Sequence, residues 1–187
     1  MSPLIAIVPL LWSVAAFGQT VERYAGMCDA SAALPLDGRH FVVAGDEKNT
    51  LLIYAHDRPQ VLAKVALDDF LRSDGDESDL EAGTRIGDRI YWIGSMSRDG
   101  SGRPAPARDR FFATDIEHGA TPPKLRPVGD APARLRDAII SSAAGREWQL
   151  AQAAAKAPEA PGGLNIEGLT HTADGALLIG FRNPLRA

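Results

Sequence analysis

One motif occurs three times along the chain, and it constrains the fold more than any other feature of the sequence. The copies are CDASAALPLDGRHFVVAGDEKN from Cys28, SDLEAGTRIGDRIYWIGSMSRD from Ser78 and LNIEGLTHTADGALLIGFRNP from Leu164. Each copy has two polar residues around one spacer, then a turn containing Gly and Asp, then an apolar run. Such a turn between strand-like segments is typical of a β-hairpin, because glycine adopts a positive φ without a Cβ penalty. The motif therefore predicts three equivalent hairpins.

Further strand-like segments follow the first two hairpins. TLLIYAHD and QVLAKVAL come after the first hairpin, and RDRFFATDIE and KLRPVG come after the second. Four short antiparallel strands in a repeat of about 50 residues are typical of a β-propeller blade. A β-sandwich also has short strands, but it would not repeat the polar doublet in register with the hairpin. We therefore predict an all-β fold of propeller-like repeats.

The predicted domain covers residues 19–187 and holds about two and a half blades. Blade one spans about residues 24–70, blade two about 77–128, and a partial blade three spans 163–187.

One Ala-rich stretch interrupts the β pattern between the second and third repeats. Within residues 131–157, Leu135 and Ile139 lie at helical spacing, and Asp130 stands where an N-cap is expected. Gly145 is predicted to divide the stretch into two helices. We expect a helical insertion that packs over one face of the disc.

The first eighteen residues, MSPLIAIVPLLWSVAAFG, contain no charged side chain. Their apolar run is short for a membrane span, and Ala16 and Gly18 provide the small residues of a cleavage site. Residues 1–18 are therefore predicted to be a signal peptide, with an uncleaved anchor as the alternative. We expect a periplasmic or secreted protein with no membrane span beyond this segment.

Charge excludes one class of partner. The formal net charge is −4 and the basic residues are scattered rather than arranged in a stripe, which argues against nucleic-acid binding. Four arginines, Arg98, Arg103, Arg108 and Arg110, lie in the segment RDGSGRPAPARDR. Its Gly and Pro residues predict a long, mobile hairpin loop, and we expect a solvated basic surface, with contact to an anionic ligand as the alternative.

The polar doublets at the strand starts are the main candidates for a functional site. Alternate side chains of a strand share a face, so both polar residues of a doublet are expected to point away from the spacer. In a propeller the first strand of each blade lines the central channel, which brings the doublets towards one axis. The candidate metal ligands are Asp29, Asp79, Glu81, Asn165 and Glu167. Their oxygen chemistry suits Ca²⁺ or Mg²⁺.

The same doublets also have a purely structural interpretation, in which they accept hydrogen bonds from backbone amides and tie neighbouring blades together. If the cluster is catalytic, Glu167 and Glu81 are the candidate groups. His171 is a third candidate, because a regular strand places it on the face of Glu167. Its position close to the turn is equally typical of an exposed histidine without a chemical role.

Four segments carry a family resemblance: DASAALPLDGRHFVVAGDEKNTLLIY, DLEAGTRIGDRIYWIGS, RDRFFATDI and GGLNIEGLTHTADGALLIGFRNP. They resemble the bacterial domain-of-unknown-function family 3616 over nearly the whole chain after residue 18. The resemblance implies an exported, propeller-like protein with no assigned reaction. It also makes Arg182 and Asn183, within the family-specific GFRNP, candidate ligand-binding residues. Where the family usually has a histidine after IGS, this chain has Met96.

The strand starts containing Glu-Gly are also similar to those of phytase-like and lactonase-like propellers, some of which hold a cation on their axis. Members of family 3616 are longer than this chain, and a closed propeller takes about four to eight blades. We therefore expect the chain either to be C-terminally truncated relative to them or to complete its disc by oligomerising.

Two functions from different classes follow. The first is an exported propeller that binds a small molecule or a protein, with a structural divalent cation at most. The alternative is a metal-dependent hydrolase of phosphoesters or lactones that uses Glu81 and Glu167 as ligands or general base.

Overall fold

The computed structural model describes residues 21–131 and 134–185. The predicted signal peptide, residues 1–18, lies outside the described residues. Within them the chain is mostly β, with three antiparallel sheets and a few short helices. No helix in this part of the chain is long and apolar enough to cross a membrane.

The first sheet is a meander of four antiparallel strands in the order β1-β2-β3-β4. The strands are β1 (Ala30–Pro35), β2 (His40–Gly45), β3 (Thr50–Ala55) and β4 (Arg58–Ala66). The central strands β2 and β3 are buried almost throughout, which explains their continuous apolar runs. The outer strands β1 and β4 are largely exposed or half-buried. A short helix, α1 (Asp68–Leu71), follows the sheet.

The second sheet repeats this order with four more strands. They are β5 (Leu80–Ile86), β6 (Arg89–Gly94), β7 (Phe111–Glu117) and β8 (Lys124–Val128). A two-residue turn joins β5 to β6, and its first residue, Gly87, has a φ of +61°. The strands occupy the positions expected from the apolar runs of the second repeat.

The third sheet has two strands, β9 (Asn165–His171) and β10 (Leu177–Asn183), which form an antiparallel hairpin. It corresponds to the third copy of the motif. Over the described ranges the three sheets do not close into a ring.

The insertion before the third sheet forms three short helices, α2 (Leu135–Ser141), α3 (Ala143–Glu147) and α4 (Leu150–Ala153). The predicted cap is wrong, because Arg134 rather than Asp130 occupies the N-cap position of α2. The predicted division at Gly145 is also wrong, because the helix is interrupted at Ser142 instead. Ser142 Oγ accepts a hydrogen bond from Gly145 N at 2.9 Å and so caps α3. A Cβ at Gly145 would lie 2.1 Å from Ile139 O, so glycine lets α3 approach the end of α2 closely.

Strands β5 and β6 of the second sheet contribute side chains to a core on each face, and this holds the three sheets together. Strand β5 lies against β1 on one side and against β9 on the other. Ile90 and Trp92 pack into a core shared with the first sheet. Their neighbours Tyr91 and Ile93 face the opposite way, into a second core with Ile166 of β9 and with α2. The alternation of a strand therefore serves two interfaces at once.

Asn49, in the loop between β2 and β3, joins the first sheet to the start of β5. Its Nδ2 lies 2.7 Å from Asp68 Oδ1, 3.0 Å from Ser73 Oγ and 2.8 Å from Asp76 O. Its Oδ1 accepts a hydrogen bond from Ser78 N at 2.9 Å. This buried and satisfied amide fixes the residue that precedes the polar doublet of the second repeat.

Candidate functional site

Each first strand of the three sheets carries a β-bulge at the same point of the motif. In the first sheet Ala30 pairs with Gly45 and Ala32 with Ala44, which leaves Ser31 without a cross-strand partner. The pairing of β5 with β6 skips Glu81 in the same way. The pairing of β9 with β10 likewise skips Glu167, the second polar residue of the third doublet. The bulges therefore fall on the second polar residue of every doublet.

These bulges interrupt the strict alternation of side chains that a regular strand would have. Asp79 and Leu80 are consecutive residues and both are buried, as are Asn165 and Ile166. A bulge re-aims a side chain relative to the regular pleat, and bulges are frequent beside functional sites. The doublets approach one another because β1, β5 and β9 are neighbours and because each is bulged, rather than through alternation alone.

Four carboxylates interact where the three first strands meet. Asp46, Asp79, Glu81 and Glu167 form this group, which we term the carboxylate cluster. Glu81 is half-buried, and its pKa is raised to about 7 by desolvation first and then by repulsion from the other three carboxylates. A hydrogen bond from Ser31 acts in the opposite direction.

Asp79 is the most buried carboxylate of the cluster and has a left-handed backbone with a φ of +50°. Arg108 Nη1 donates a hydrogen bond to Asp79 Oδ2 at 2.8 Å, and Arg108 Nη2 lies 3.3 Å from Glu77 Oε2. Burial still raises the pKa of Asp79, although Arg108 and a hydrogen bond from Ser95 both lower it. One arginine therefore compensates this charge only in part.

Glu167 is paired with the ligand-binding candidate Arg182. Arg182 Nη1 donates to Glu167 Oε1 at 2.8 Å and also lies 3.2 Å from Glu159 Oε1. The hydrogen bond to Glu167 raises the pKa of the Arg182 guanidinium. Asn165 Nδ2 donates to the same Oε1 atom at 3.2 Å. The second ligand-binding candidate, Asn183, instead donates to Pro158 O at 3.2 Å.

Two acceptor atoms at this place have no hydrogen-bond partner. Asp46 Oδ1 and Asn165 Oδ1 are both buried and unpaired. Asn165 is only 5% exposed, so its oxygen has little access to bulk water. A buried acceptor without a donor costs about 1–3 kcal/mol. The cluster therefore has a surplus of acceptors that a cation or a hydrogen-bond donor would satisfy.

Asp29 and His171, two other predicted site residues, have different surroundings. Asp29 is exposed and lines a cavity of about 170 Å³ together with Gly45 and Glu47, the chain neighbours of Asp46. His171 Nδ1 lies 2.8 Å from Thr84 Oγ1, at the other end of β5 from Glu81. Met96 is buried in the core between the second and third sheets.

Glycine positions the polar ends of the hairpins. A Cβ at Gly94 would lie 2.6 Å from Ser78 O and 2.5 Å from Arg108 O. A Cβ at the equivalent Gly45 would lie 2.4 Å from Asp29 O. Real Cβ atoms do not come so close to backbone oxygen atoms, so both strands need glycine here.

Sequence reasoning missed Asp46, Ser95 and Arg108, which complete the site. The signal for two of them was present, since Asp46 follows Gly45 as Ser95 follows Gly94 in the repeat. Arg108 reaches the cluster through tertiary structure alone, so no spacing within the motif indicates it.

The prediction of a solvated basic loop is wrong for most of its arginines. The loop contains a 3₁₀ turn at Pro106–Arg108, and Arg110 is buried. Arg108 is held by Asp79, and Arg110 Nη1 donates to Pro106 O at 3.0 Å. Only Arg103 of this loop is strongly exposed, at 80% of its side chain. Burial here follows from carboxylate and carbonyl partners that lie outside the local sequence pattern.

Comparison with protein-family models and with curated protein sequences gives no match for this chain. Among residues 21–131 and 134–185, no group of three or more His, Cys, Asp and Glu side chains is placed to hold a metal ion. The side-chain atoms of the cluster that could bind a cation are all oxygens. One oxygen of Asp79 and one of Glu167 already accept a hydrogen bond from an arginine.

Proposed function

We propose that this chain is a propeller-type binding protein whose ligand places a positively charged group at the carboxylate cluster. The observation that carries the proposal is the surplus of acceptors: four interacting carboxylates, two arginine counterions, and two buried oxygen atoms without partners. Excess negative charge in a half-buried site is relieved by a bound cation.

The propeller-type build is part of this proposal. Two meanders of the same strand order support it, as do three adjacent first strands with bulges on equivalent residues. The resemblance to family 3616 and the apolar segment 1–18 support an exported protein, periplasmic or secreted. The partner is then a small molecule or a protein outside the cytoplasm.

A divalent cation is the simplest ligand of this kind. Carboxylate and amide oxygens are the ligands that Ca²⁺ and Mg²⁺ prefer. Glu81, Asp46 and Asn165 have acceptor atoms not held by an arginine and would supply the first contacts. Bound there, the ion would neutralise the cluster and tie the three sheets together.

A thermal melt with calcium or magnesium, followed by a chelator, tests the proposal. A cation that binds only the folded state raises the midpoint by mass action, by about 2.7 kcal/mol of stability at a hundredfold excess over Kd. We expect millimolar calcium to raise the midpoint, Glu81→Gln to abolish most of the rise, and Glu117→Gln, an exposed control at the end of β7, to retain it. A wild-type midpoint that is indifferent to both ions would refute the cation site.

A metal-dependent hydrolase is the second candidate, and one observation favours it. A pKa of about 7 suits a general base at neutral pH, and Glu81 has this value. A screen with phosphoester and lactone substrates, with and without calcium, tests for turnover. If turnover occurs, Glu81→Gln and Glu167→Gln are expected to remove it while the protein stays folded. A binding protein would show no turnover, and the same variants would alter only stability or binding.

A further inference from the structure

A second polar site lies between the loop after β6 and the helical insertion. A cavity of about 180 Å³ opens there, and its polar lining comes from Ser97, Arg98, Asp109 and Arg136. Arg136 belongs to α2, and the other three residues belong to the loop. We refer to this cavity as the arginine pocket.

One buried guanidinium nitrogen atom of the pocket lining, Arg136 Nε, has no acceptor. It lies 3.5 Å from Asp109 Oδ1, close enough for charge attraction but without a hydrogen bond. Arg110, next to Asp109 in the chain but outside the cavity lining, has a second buried and unpaired Nε. A buried charged donor without an acceptor is costly, so Arg136 Nε points to a missing anionic partner.

The other contacts of Arg136 are long, and those of Arg98 reach only carbonyl oxygens. Arg136 Nη1 lies 3.5 Å from Asp109 Oδ2, and Arg136 Nη2 lies 3.4 Å from Ala154 O. Arg98 donates to Ala154 O at 3.1 Å and to Gly102 O at 3.0 Å. Carbonyl oxygens accept hydrogen bonds but bring no net charge, so Asp109 is the principal counterion for Arg136.

We propose that the arginine pocket binds a small oxyanion, such as sulfate, phosphate or the carboxylate of a larger ligand. The geometry carries this inference: a cavity of suitable size, lining arginines from two separate elements, and a buried lining donor, Arg136 Nε, without a partner. Guanidinium groups recognise such oxyanions through charge-assisted hydrogen bonds. The inference is independent of the carboxylate cluster, because neither Glu81 nor Glu167 lines this cavity.

Asp109 opposes the anion and makes its binding dependent on pH. Desolvation raises the pKa of Asp109 to about 6. The charged groups that act on it are Arg136, which lowers its pKa, Asp137, which raises it, and Arg110, which lowers it. Protonation below about pH 6 removes one negative charge from the pocket. Anion binding is then expected to strengthen as the pH falls.

Titration of the full chain with sulfate tests the proposal, because sulfate keeps its charge from about pH 5 to pH 8. The readouts are calorimetry and the melting midpoint, each compared with chloride at equal ionic strength. Arg136→Gln is expected to weaken sulfate binding by about tenfold or more, as expected for loss of a charge-assisted contact. Arg103→Gln removes an exposed arginine from the same loop and is the matched control, with no change expected. Phosphate and acetate, titrated in parallel, separate a tetrahedral anion from a carboxylate as the ligand.

A second variant keeps the test decisive if Arg136→Gln does not fold. Asp109→Asn removes the opposing charge, so it is expected to tighten sulfate binding at pH 7.5 and to abolish its dependence on pH. The proposal is overturned if sulfate has no more effect than chloride on the wild type. It is also overturned if Arg136→Gln and Arg103→Gln respond equally, or if Asp109→Asn leaves the affinity unchanged.

Discussion

At the residue scale, the ionised form of Glu81 destabilises the folded protein, because the folded state raises the pKa of this carboxyl. Its pKa is about 7 in the folded protein, against an ordinary value of 4.5. The folded state therefore binds this proton more tightly than the unfolded state does. Between about pH 4.5 and pH 7 the contribution of Glu81 to stability falls as the pH rises, and above that range it stays unfavourable. Such a cost is typical of residues kept for binding or chemistry.

Replacing Glu81 by Gln is expected to stabilise the protein at pH 8 and to have little effect at pH 5. Because Glu81 is only half-buried, solvent screening limits the gain to about 1 kcal/mol, or roughly 2–4 °C in the melting midpoint. Melts of the variant and the wild type across this pH range, without divalent cations, measure the difference. An equal midpoint difference at every pH would contradict the raised pKa, and Glu117→Gln serves as the exposed control.

The ion pair of Arg108 and Asp79 is expected to matter far more than a surface pair. Both side chains are largely buried, at 17% and 11% exposure, so Arg108→Ala leaves a poorly solvated carboxylate without its partner. We expect a loss of about 2–4 kcal/mol in the free energy of unfolding. Urea unfolding measures it, and adding Asp79→Asn should recover part of the loss. Arg103→Ala, at an exposed ion pair, is expected to change stability by about 0.5 kcal/mol or less; similar losses in both variants would exclude a special role for Arg108.

The sequence identified the carboxylates of the doublets and, through the family resemblance, Arg182, but not Arg108, which compensates Asp79. Asp79 and Glu81 stand out because they recur at a fixed offset from a turn. Arg108 has no such offset, since a loop whose path depends on tertiary contacts carries it to Asp79. Local patterns therefore predicted where charge gathers, and only the folded chain defines how it is balanced.

At the scale of single elements, glycine is needed at the end of β6 because backbone oxygens pack closely against it, and not because the chain turns there. Gly94→Ala is expected to lower the free energy of unfolding by about 2–4 kcal/mol, because its Cβ meets two backbone oxygens that cannot move independently. The clash also involves the residues next to Asp79, so cation binding at the cluster should weaken. Gly38→Ala is the matched control, since a Cβ there meets nothing within 4 Å. Chemical unfolding of both variants decides the matter, and equal stability would contradict the close approach.

Helix boundaries were harder to predict than strand positions. Each predicted hairpin rests on a turn, a doublet and an apolar run, so several independent signals agree. In the insertion, the alanine-rich pattern predicts helix over a long range but contains little to mark the breaks. Ser142 ends one helix and caps the next because its hydroxyl bonds to Gly145 N, a contact that composition alone does not predict.

At the scale of the whole molecule, the two cores that share strands β5 and β6 of the second sheet should make unfolding a single event. Ile90 is fully buried in the core shared with the first sheet, and its neighbour Tyr91 packs towards the third. Ile90→Ala is expected to cost about 2–5 kcal/mol and to shift the whole transition rather than part of it. Tryptophan fluorescence and circular dichroism, followed in the same urea series, should give coincident curves. Separate transitions would mean that the sheets unfold independently.

The bulges on Ser31, Glu81 and Glu167 also make the site easy to rewrite. A bulge residue has no cross-strand pair in the register, so the ladder itself does not dictate its identity, although Glu167 still pairs with Arg182. The three positions can diverge one at a time while every other pair in the sheets keeps its register. The same strands thus carry a hydroxyl at one bulge position and carboxylates at the other two. Substitutions at these three positions alone, in evolution or in design, would change which ligand the site prefers.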